Sequence, residues 1–393
     1  MKALILLNGS ISKDARVIRQ LNAVAAIGEA HLYSIERKNY IPPINLCSDV
    51  IVTQIRYPFN LRQKVMKHSF ISREYDFLAK EVIQSGETFD ICIANDLPTL
   101  RSGILLKKAG IVRKLYYDAH EIYSETIKQF FPGMDSMPFY KKAITRLLTK
   151  FMVHHAVKFE KKNVCDVDVM MTVNKSLSDY FAKHYKIDPP EIIRSIPDIK
   201  KSEVSKVFDY RNHYDWTTDT KILIYQGMLN SGRGMKLCIE TMTLLDESYK
   251  LVVIGDGPLF LSLKSYVKDT HLSERVKFLG SVPNHELNQY TKGADVGLCL
   301  IEPINLSKEL SLPNKIFEYL HSGKPIIGSD IPEIQTIIEE YGIGIVSGLT
   351  THEIAIKIKE VFTIDFTQNI ENAQALLKWQ NEKEKLVSLI TSV

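Results

Sequence analysis

The chain has 393 residues, of which 45% are hydrophobic and 24% are charged, a composition typical of a globular protein with about two domains. No run approaches the roughly 18 apolar residues of a membrane span, and the N-terminal MKALILLNGS has too short an apolar core for a signal peptide. The five cysteines form no CxxC pair, which argues against zinc, disulfide and redox motifs and for a reducing cytosol.

The net charge of +4 is unevenly distributed. Residues 1–200 carry 30 Lys and Arg against 21 Asp and Glu, or +9, whereas residues 201–393 carry 20 against 25, or −5. This asymmetry predicts two domains with different partners, the basic one facing an anionic membrane surface or an acidic acceptor. A nucleic-acid partner is not expected, because no basic stripe is interleaved with aromatic residues.

Apolar runs alternate with helical patterns along the whole chain, which is typical of parallel sheets built from βαβ units. The predicted strands are residues 2–8, 30–35, 50–56, 90–95, 113–118, 168–173, 192–196, 221–226, 250–255, 275–279, 295–300, 325–328 and 343–347. The longest predicted helices are about 65–86, 139–163 and 368–390.

The pattern predicts an α/β protein with two Rossmann-like, doubly wound domains that face each other across a cleft. We place the first domain at residues 1–200 and the second at 201–374, joined by the polar segment 197–219. The closing helix, about 375–393, could pack back on the first domain.

Polar residues follow several strands of the first domain. Asp14 and Arg16 open the first helix, Asp96 follows a strand, and Asp118 and His120 end another in LYYDAHEIYSE. Because the carboxyl ends of parallel strands line ligand sites, these residues are candidates for substrate contacts. Asp14 could instead be a helix-start charge, and His120 a structural histidine.

The segment 139–163 predicts a basic amphipathic helix. It contains adjacent histidines, His154 and His155, but the sequence offers no further metal ligands beside them. The pattern favours a packed helix with a lysine-rich outer face, and a helix lying on a membrane interface is the alternative.

The second domain opens with KILIYQGMLNSGRGM, in which a strand runs into Gly227 and a loop that ends at Arg233. Glycines allow close approach of a ligand, and arginine binds phosphate oxygens with a planar fork of donors. In LVVIGDGPL, Gly257 follows the next strand, and this segment matches half of a dinucleotide-binding fingerprint. A plain βα turn is the alternative for both loops. The segment VKFLGSVPNHEL could clamp a nucleobase, and a plain loop is the alternative there.

The most informative stretch is ELSLPNKIFEYLHSGKPIIGS, residues 309–329. Pro313 suits the first position of a helix that Gly323 ends, and free amides at a helix start bind phosphate. Glu318 lies five residues beyond Pro313, within reach of a sugar hydroxyl pair beside that phosphate. An ordinary amphipathic helix with a solvated Glu318 is the alternative.

Taken in order, these segments resemble the GT-B glycosyltransferases, and they are similar to the retaining family 4 enzymes of bacteria. The motifs that carry the resemblance are DARVIRQL, YYDAHEIYSE, YQGMLNSGRGM, VIGDGP, FLGSV and SLPNKIFEYLHSGKPII. The resemblance implies that the second domain binds a nucleotide-diphospho-sugar and that the first binds the acceptor. It also implies retention of anomeric configuration by same-face attack.

Carried over residue by residue, the resemblance implies that Glu318 binds the donor ribose, Arg233 neutralises the diphosphate, and His120 contacts the donor sugar near its reacting carbon. The residues assigned to donor binding are Gly227, Arg233, Gly257, Val282, Pro313, Asn314, Lys315 and Glu318. The residues assigned to acceptor binding are Asp14, Arg16 and Asp96, and those assigned to catalysis are His120, Arg233 and Glu309.

Two positions depart from the family pattern. Leu310 stands where the family usually has a second glutamate, eight positions before Glu318, so Glu309 would have to replace it. Met228 and Leu229 stand where an arginine is usual, which leaves more of the phosphate charge to Arg233.

The predicted reaction is a retaining, metal-independent transfer of a sugar from a nucleotide-diphospho-sugar, with UDP rather than GDP as the nucleotide. The predicted acceptor is a hydroxyl of a glycan or a lipid-linked acceptor, in surface polysaccharide or glycoconjugate biosynthesis. No cofactor is expected. The predicted location is the cytoplasm, at the inner face of the cell membrane if the basic half binds lipid. The alternatives are a nucleotide-sugar epimerase and a catalytically silent binding scaffold on the same fold; a dehydrogenase is disfavoured because LLNGSISKD lacks the glycine fingerprint.

Overall fold

The computed structural model describes residues 1–36, 45–56, 74–128, 138–198 and 207–392. The chain forms two compact units. Unit 1 comprises Met1–Ser195 together with Glu382–Val393, and unit 2 comprises Ile196–Asn381. The predicted join at 197–219 lies where the first unit gives way to the second, although residues 199–206 are outside the described ranges.

Unit 1 is built on a parallel sheet of seven described strands. In chain order these are β1 (Lys2–Leu7), β2 (Glu29–Glu36), β3 (Ile51–Arg56), β4 (Phe89–Asn95), β5 (Val112–Asp118), β6 (Val169–Thr172) and β7 (Glu191–Ile192). Their spatial order is β3-β2-β1-β4-β5-β6-β7, so the direction of winding reverses between β1 and β4. Ligands of such sheets bind at the carboxyl ends of the strands beside this reversal.

The described α-helices of unit 1 follow the strands as expected for βαβ connections. They are α1 (Ala15–Ala25), α2 (Glu74–Gln84), α3 (Leu97–Lys108), α4 (Tyr123–Lys128), α5 (Phe139–Asn163) and α6 (Lys175–Tyr185). Strands β1 and β4 are buried over almost their whole length, because helices cover both faces of a parallel sheet.

Unit 2 repeats this architecture with six parallel strands in the order β10-β9-β8-β11-β12-β13. The strands are β8 (Lys221–Gln226), β9 (Tyr249–Ile254), β10 (Val276–Gly280), β11 (Val296–Cys299), β12 (Ile326–Ser329) and β13 (Gly344–Ser347). Winding reverses between β8 and β11, and the runs ILIY and LVVI of β8 and β9 lie in the centre of one apolar core.

Ten described α-helices belong to this second half of the chain. They are α7 (Tyr210–His213), α8 (Met235–Thr241), α9 (Phe260–Asp269), α10 (Asn284–Gly293), α11 (Leu306–Glu309), α12 (Asn314–His321), α13 (Pro332–Tyr341), α14 (Thr351–Val361), α15 (Thr367–Leu376) and α16 (Trp379–Thr391). Helix α16 crosses the division between the units at Asn381 and Glu382.

The two parallel sheets confirm the predicted fold class of two Rossmann-like domains. Twelve of the predicted strands agree with the structure to within a residue or two, whereas 192–196 shortens to the two residues of β7. The helix predicted at 139–163 has the same first and last residues in the structure. Of the helix predicted at 65–86, the structure describes the part that begins at Glu74.

Two details of the helix prediction were wrong. The predicted helix 368–390 is two helices, because Leu377 leaves helical geometry at φ −92° and ψ 67° and separates α15 from α16. Pro313 is the N-cap of α12, in extended geometry at φ −70° and ψ 140°, and Asn314 takes the first helical position. Gly323 ends the helix in left-handed geometry at φ +74°, as its freedom from a Cβ allows.

Candidate functional site

The start of α12 in unit 2 holds a buried lysine. Lys315 is 5% exposed, its Nζ lies 4.0 Å from the centroid of the Tyr225 ring, and no described residue accepts a hydrogen bond from it. Burial lowers the pKa of Lys315, and the nearby charge of Arg233 lowers it further. A buried cation without a hydrogen-bonding partner is costly, and an anion bound beside it would offset that cost.

Arg233 lies in the turn between β8 and α8, which is held close to the sheet. Gly234 has φ +70°, and a Cβ on it would lie 1.8 Å from the carbonyl oxygen of Leu300. Its N–H donates to Glu302 Oε2 at 3.1 Å. Arg233 is half-buried, and its Nε is a buried donor with no described partner. The turn therefore brings a second cation with an unused donor near Lys315.

Glu318 lies one turn further along α12 and is oriented by a buried amide. Gln226 Nε2 donates to Glu318 Oε2, while Gln226 Oε1 accepts from Thr291 Oγ1 at 2.7 Å. The Gln226 N–H donates to the hydroxyl of Tyr319, the next residue of α12. Strand β8 and helix α12 thus hold the carboxylate in one orientation.

Sequence reasoning missed Gln226, Thr291 and Tyr225 as parts of this arrangement. Gln226 stands directly before Gly227 in YQGM, and a polar residue at the end of an apolar strand was the available signal. Thr291 and Tyr225 carry no local signal, because only the tertiary fold brings them to Gln226 and Lys315.

The other predicted donor residues lie on the loops at the carboxyl ends of these strands. Gly227 has φ +128° and open space where a Cβ would stand, whereas Gly257 lies against the backbone of Leu229. Val282, between β10 and α10, packs partly on the core of unit 2. Asn314 is exposed beside Pro313 at the start of α12.

The family departures lie at the same edge of the sheet. Glu309 is exposed at the end of α11, a helix whose Asn305 cap accepts from the Lys308 N–H at 3.0 Å. Met228 is exposed and Leu229 is fully buried, so the first is open to solvent and the second belongs to the core. The role predicted for Glu309 stays a prediction.

In unit 1, Asp96 and His120 form a close pair beyond β4 and β5. His120 Nε2 lies 3.1 Å from Asp96 Oδ2, and the Asp96 N–H donates to the carbonyl of Asp118 at 2.9 Å. Asp96 is one of four described non-glycine residues with positive φ, at φ 58° and ψ 164°. Such geometry costs about 1–3 kcal/mol and persists where the surroundings hold it, often at functional sites.

The pair lies in a negative environment. Burial raises the pKa of Asp96 to about 8, with contributions from the carboxylates of Glu121, Asp118 and Asp14, and the His120 imidazolium opposes this rise. Burial lowers the pKa of His120, but the carboxylates of Asp96 and Asp118 outweigh it, so the net shift is upward. His120 Nδ1 is buried with no described hydrogen-bond partner, which leaves it available to a ligand.

Arg16 is engaged inside unit 1. Its Nε and one terminal nitrogen donate to the two oxygens of Asp118 at 2.7 and 2.6 Å, and its other terminal nitrogen donates to Ile193 O at 2.9 Å. Burial would raise the pKa of Asp118, but the Arg16 guanidinium holds it below its ordinary value. Asp14 caps α1 by accepting from the Val17 N–H. These contacts favour a positioning role for Arg16, acting through Asp118, whereas Asp14 caps the helix that carries Arg16.

The described residues contain no cluster of three or more His, Cys, Asp or Glu side chains arranged to hold a metal ion. All five cysteines are free thiols. None of the described helices combines the length and the hydropathy that crossing a bilayer requires.

Comparison with known proteins finds similarity to glycosyltransferases over part of the chain. Residues 207–375 match the family model described as glycosyl transferases group 1. The O-antigen chain mannosyltransferase RfbU of Salmonella typhimurium is 24% identical over 230 residues, which cover 58% of this chain and 59% of RfbU. N-acetyl-alpha-D-glucosaminyl L-malate synthase of Bacillus anthracis is 24% identical over 182 residues, 45% of each chain. The chain thus spans about half the length of these relatives.

Solved structures match over the whole chain. Anabaena HepE in complex with UDP superimposes with a TM-score of 0.68 at 15% identity and covers 100% of both chains. Sucrose-phosphate synthase from Thermosynechococcus elongatus gives 0.74 at 16% identity, covering 100% of this chain and 99% of the other. At these identities the likeness establishes a common fold.

Proposed function

Because residues 207–375 form a glycosyl transferases group 1 domain in a chain with the GT-B fold, similar to family 4 enzymes, we propose that the protein is a glycosyltransferase of polysaccharide or glycoconjugate biosynthesis. The observation that carries this proposal is the pair of cations in unit 2. Lys315 is buried without a described hydrogen-bond partner, and Arg233 beside it has an unused buried donor.

A nucleotide diphosphate fits this arrangement. Its phosphate oxygens would accept from Lys315 Nζ, from Arg233 and from the free amides at the start of α12, where the helix dipole also favours negative charge. Glu318, held by Gln226, is oriented to accept from a ribose hydroxyl one helical turn away. The proposed donor is therefore a nucleotide-diphospho-sugar.

The cations also supply what the reaction needs. When the bond between the sugar and the diphosphate breaks, negative charge develops on the leaving phosphate, and fixed cations in a site shielded from water stabilise it. Arg233 and Lys315 would do this without a metal ion, in agreement with the metal-independent reaction predicted from the sequence. Retention of configuration follows from that resemblance alone and belongs to the same proposal.

A uracil base is the preferred choice for the donor. HepE, a structural neighbour, is described in complex with UDP, with UDP and glucose, and with UDP-glucose. The segment around Val282 would contact the base.

We assign the acceptor to unit 1, where Asp96 and His120 offer a carboxylate and an unused ring nitrogen. The acceptor class is a hydroxyl of a glycan or lipid-linked glycan, with His120 contacting the transferred sugar. A lipid-linked acceptor would bring the protein to the inner face of the cell membrane, in a reducing compartment that suits five free thiols.

The first test is calorimetric titration of UDP and GDP into the wild type and Glu318→Ala. We expect one nucleotide, UDP, to bind, and the substitution to weaken it at least about tenfold, or about 1.4 kcal/mol. Glu340→Ala, which removes an exposed carboxylate from α13, is the matched control and should leave the affinity unchanged. Absence of binding by either nucleotide would reject the donor site and favour the silent scaffold.

A second readout separates transfer from epimerisation. Incubated with a UDP-sugar, a transferase releases UDP faster when a hydroxyl acceptor is added, whereas an epimerase converts the sugar with no acceptor present.

A further inference from the structure

An aromatic ring lies beside the buried ammonium of Lys315. The Lys315 Nζ atom lies 4.0 Å from the centroid of the Tyr225 ring, and both side chains are buried. No atom of the described residues accepts a hydrogen bond from this Nζ. The face of an aromatic ring carries partial negative charge and attracts a cation, more strongly where water is excluded. The ring of Tyr225 is therefore the electron-rich surface that this lysine meets inside unit 2.

Tyr225 is held at both ends of its side chain. Its backbone lies in β8, between β9 and β11 in the six-stranded sheet, and pairs with Val253 of β9. Its hydroxyl donates to the carbonyl oxygen of Met228 at 3.1 Å, in the loop that follows β8. A ring held at the strand and at its hydroxyl presents a fixed surface to Lys315, so it also limits where the Nζ atom can lie.

The other titratable groups that act on Lys315 come from the elements packed around it. Burial lowers the pKa of Lys315, and the like charge of Arg233 lowers it further. The thiols of Cys299, at the end of β11, and Cys238, on α8, are buried, which raises their pKa to about 11 and about 12, so both are uncharged at neutral pH. Glu318, one turn further along α12, is the one carboxylate among these four groups and favours the ammonium. The Tyr225 ring thus adds attraction where burial and a like charge oppose a positive charge.

We propose that Tyr225 is a positioning residue of the donor site, whose ring holds the Lys315 ammonium in place for the diphosphate of the nucleotide. The proposal rests on the proposed function, since the diphosphate is the anion that Lys315 would bind. A ring suits this task better than a carboxylate does. An ammonium has three N–H donors, and a carboxylate beside it would occupy some of them and compete with phosphate. A ring stabilises the charge and leaves the donors to the ligand.

The test compares Tyr225→Leu with Tyr225→Phe by titration with UDP. Leucine removes the ring, whereas phenylalanine retains the ring and loses only the hydrogen bond to the Met228 carbonyl. We expect Tyr225→Leu to weaken UDP binding at least about tenfold, and Tyr225→Phe to recover most of that loss.

Tyr249→Leu is the matched control. Tyr249 is another buried tyrosine of the same core, and the Lys221 Nζ atom lies 4.7 Å from the centroid of its ring. It stands at the start of β9, paired with Lys221 at the start of β8, so it lies at the other end of the sheet from Tyr225. Tyr249→Leu removes a comparable ring and should bind UDP like the wild type.

A double-mutant cycle shows whether the ring acts through the lysine. In a Lys315→Met background, Tyr225→Leu should weaken UDP binding no further, because the cation that the ring holds is gone. A loss that arises from packing alone would instead add to that of Lys315→Met.

A spectroscopic readout needs no nucleotide. In protein labelled with ¹³C at the lysine Cε atoms, the wild type and Tyr225→Phe should show one ε-methylene signal shifted upfield by the ring current, and Lys315→Met should lack it. Tyr225→Leu should lose the upfield shift, and the pKa of Lys315 should fall, because the ring no longer favours the ammonium.

The outcomes separate this proposal from the donor site itself. If the wild type binds UDP and Tyr225→Leu binds it as well as Tyr249→Leu does, the positioning role is wrong. Equal losses in Tyr225→Leu and Tyr225→Phe would also overturn it, because they would assign the effect to the hydroxyl. If the wild type binds neither UDP nor GDP, the donor site is rejected and the positioning role falls with it, even where the ε-methylene signal shows the ring beside the lysine.

Discussion

At the scale of single residues, the two units differ in whether their buried charged side chains have partners. In unit 2, the buried cation Lys315 has no described hydrogen-bond partner and a second cation, Arg233, nearby. In unit 1, Asp118 is fully buried yet fully paired with Arg16, while Asp96 is held in a strained backbone conformation beside His120. Uncompensated charge in one unit and backbone strain in the other both cost stability, and proteins often retain such costs at functional sites.

The protonation of the Asp96–His120 pair gives a pH-dependent prediction. The pKa of Asp96 is raised to about 8 and that of His120 is raised above its ordinary value, so a proton leaves the pair as the pH rises through about 8. After that loss, His120 Nδ1 no longer donates a hydrogen bond. We therefore expect kcat/KM for sugar transfer to fall as the pH rises through about 8.

The variant Asp96→Asn tests this assignment. Asp96 is the first of the carboxylates that raise the pKa of His120, so its removal should move the alkaline limb of the pH–rate profile to lower pH. Asp188→Asn, at an exposed aspartate of the same unit, should reproduce the wild-type profile. An unchanged alkaline limb in Asp96→Asn would exclude the pair as its source.

At the scale of elements, the loop from β8 to α8 positions Arg233 by close backbone contact. Gly234 precedes α8 in left-handed geometry, against the carbonyl of Leu300. Helix α12 ends through another left-handed glycine, Gly323, but that one has open space around its Cα. The two glycines share a backbone conformation and differ in what surrounds them.

This difference predicts unequal costs of substitution by alanine. Gly323→Ala places a Cβ in open space at positive φ and should cost about 1–2 kcal/mol. Gly234→Ala adds an overlap with the Leu300 carbonyl, so it should cost clearly more and should also displace Arg233 and weaken UDP binding.

Urea unfolding of both variants measures the stability difference, and titration with UDP measures the displacement of Arg233. Equal loss of stability in the two variants would mean that the loop yields to the added methyl group, and that the close contact does not hold Arg233 in place.

At the scale of the whole molecule, the end of the chain belongs to unit 1. Glu382, buried on α16, accepts from the Arg194 N–H at 2.9 Å and from Lys385 Nζ at 2.9 Å. Leu386 and Ile390 of the same helix are buried, and the hydroxyl of Tyr116 donates to the carbonyl of Leu389. The last helix thus completes the core of the first unit.

We expect Glu382→Ala to destabilise unit 1 selectively. The substitution leaves the half-buried Arg194 N–H without its acceptor, at a cost of about 1 kcal/mol or more. Hydrogen exchange followed by mass spectrometry should show faster exchange in β5 of unit 1 and unchanged exchange in β8 of unit 2. Glu371→Ala, an exposed glutamate on α15, serves as control. Faster exchange in β8 alone would contradict this division of the chain.

The fold class, nearly all the strands and the resemblance to GT-B enzymes were predictable from the sequence. Parallel strands buried on both faces appear as continuous apolar runs such as LVVI, and the turns that follow them need glycines and prolines, so both signals are local. The same local chemistry identified Glu318 and Arg233 as candidates, because one follows a helix start and the other lies in the loop after a strand, and the family resemblance added Lys315.

Which of these candidates have partners depends on how the chain folds in three dimensions. Arg16 and Asp118 are 102 residues apart, and no local pattern could show that the arginine is engaged by a buried carboxylate. The same holds for Gln226 with Glu318, and for the break at Leu377 that divides the predicted closing helix. Hydrogen bonds between residues far apart in sequence form only when the sheet and helices assemble. The burial that makes an unpartnered lysine costly arises at the same step, so neither feature can be predicted from neighbouring residues alone.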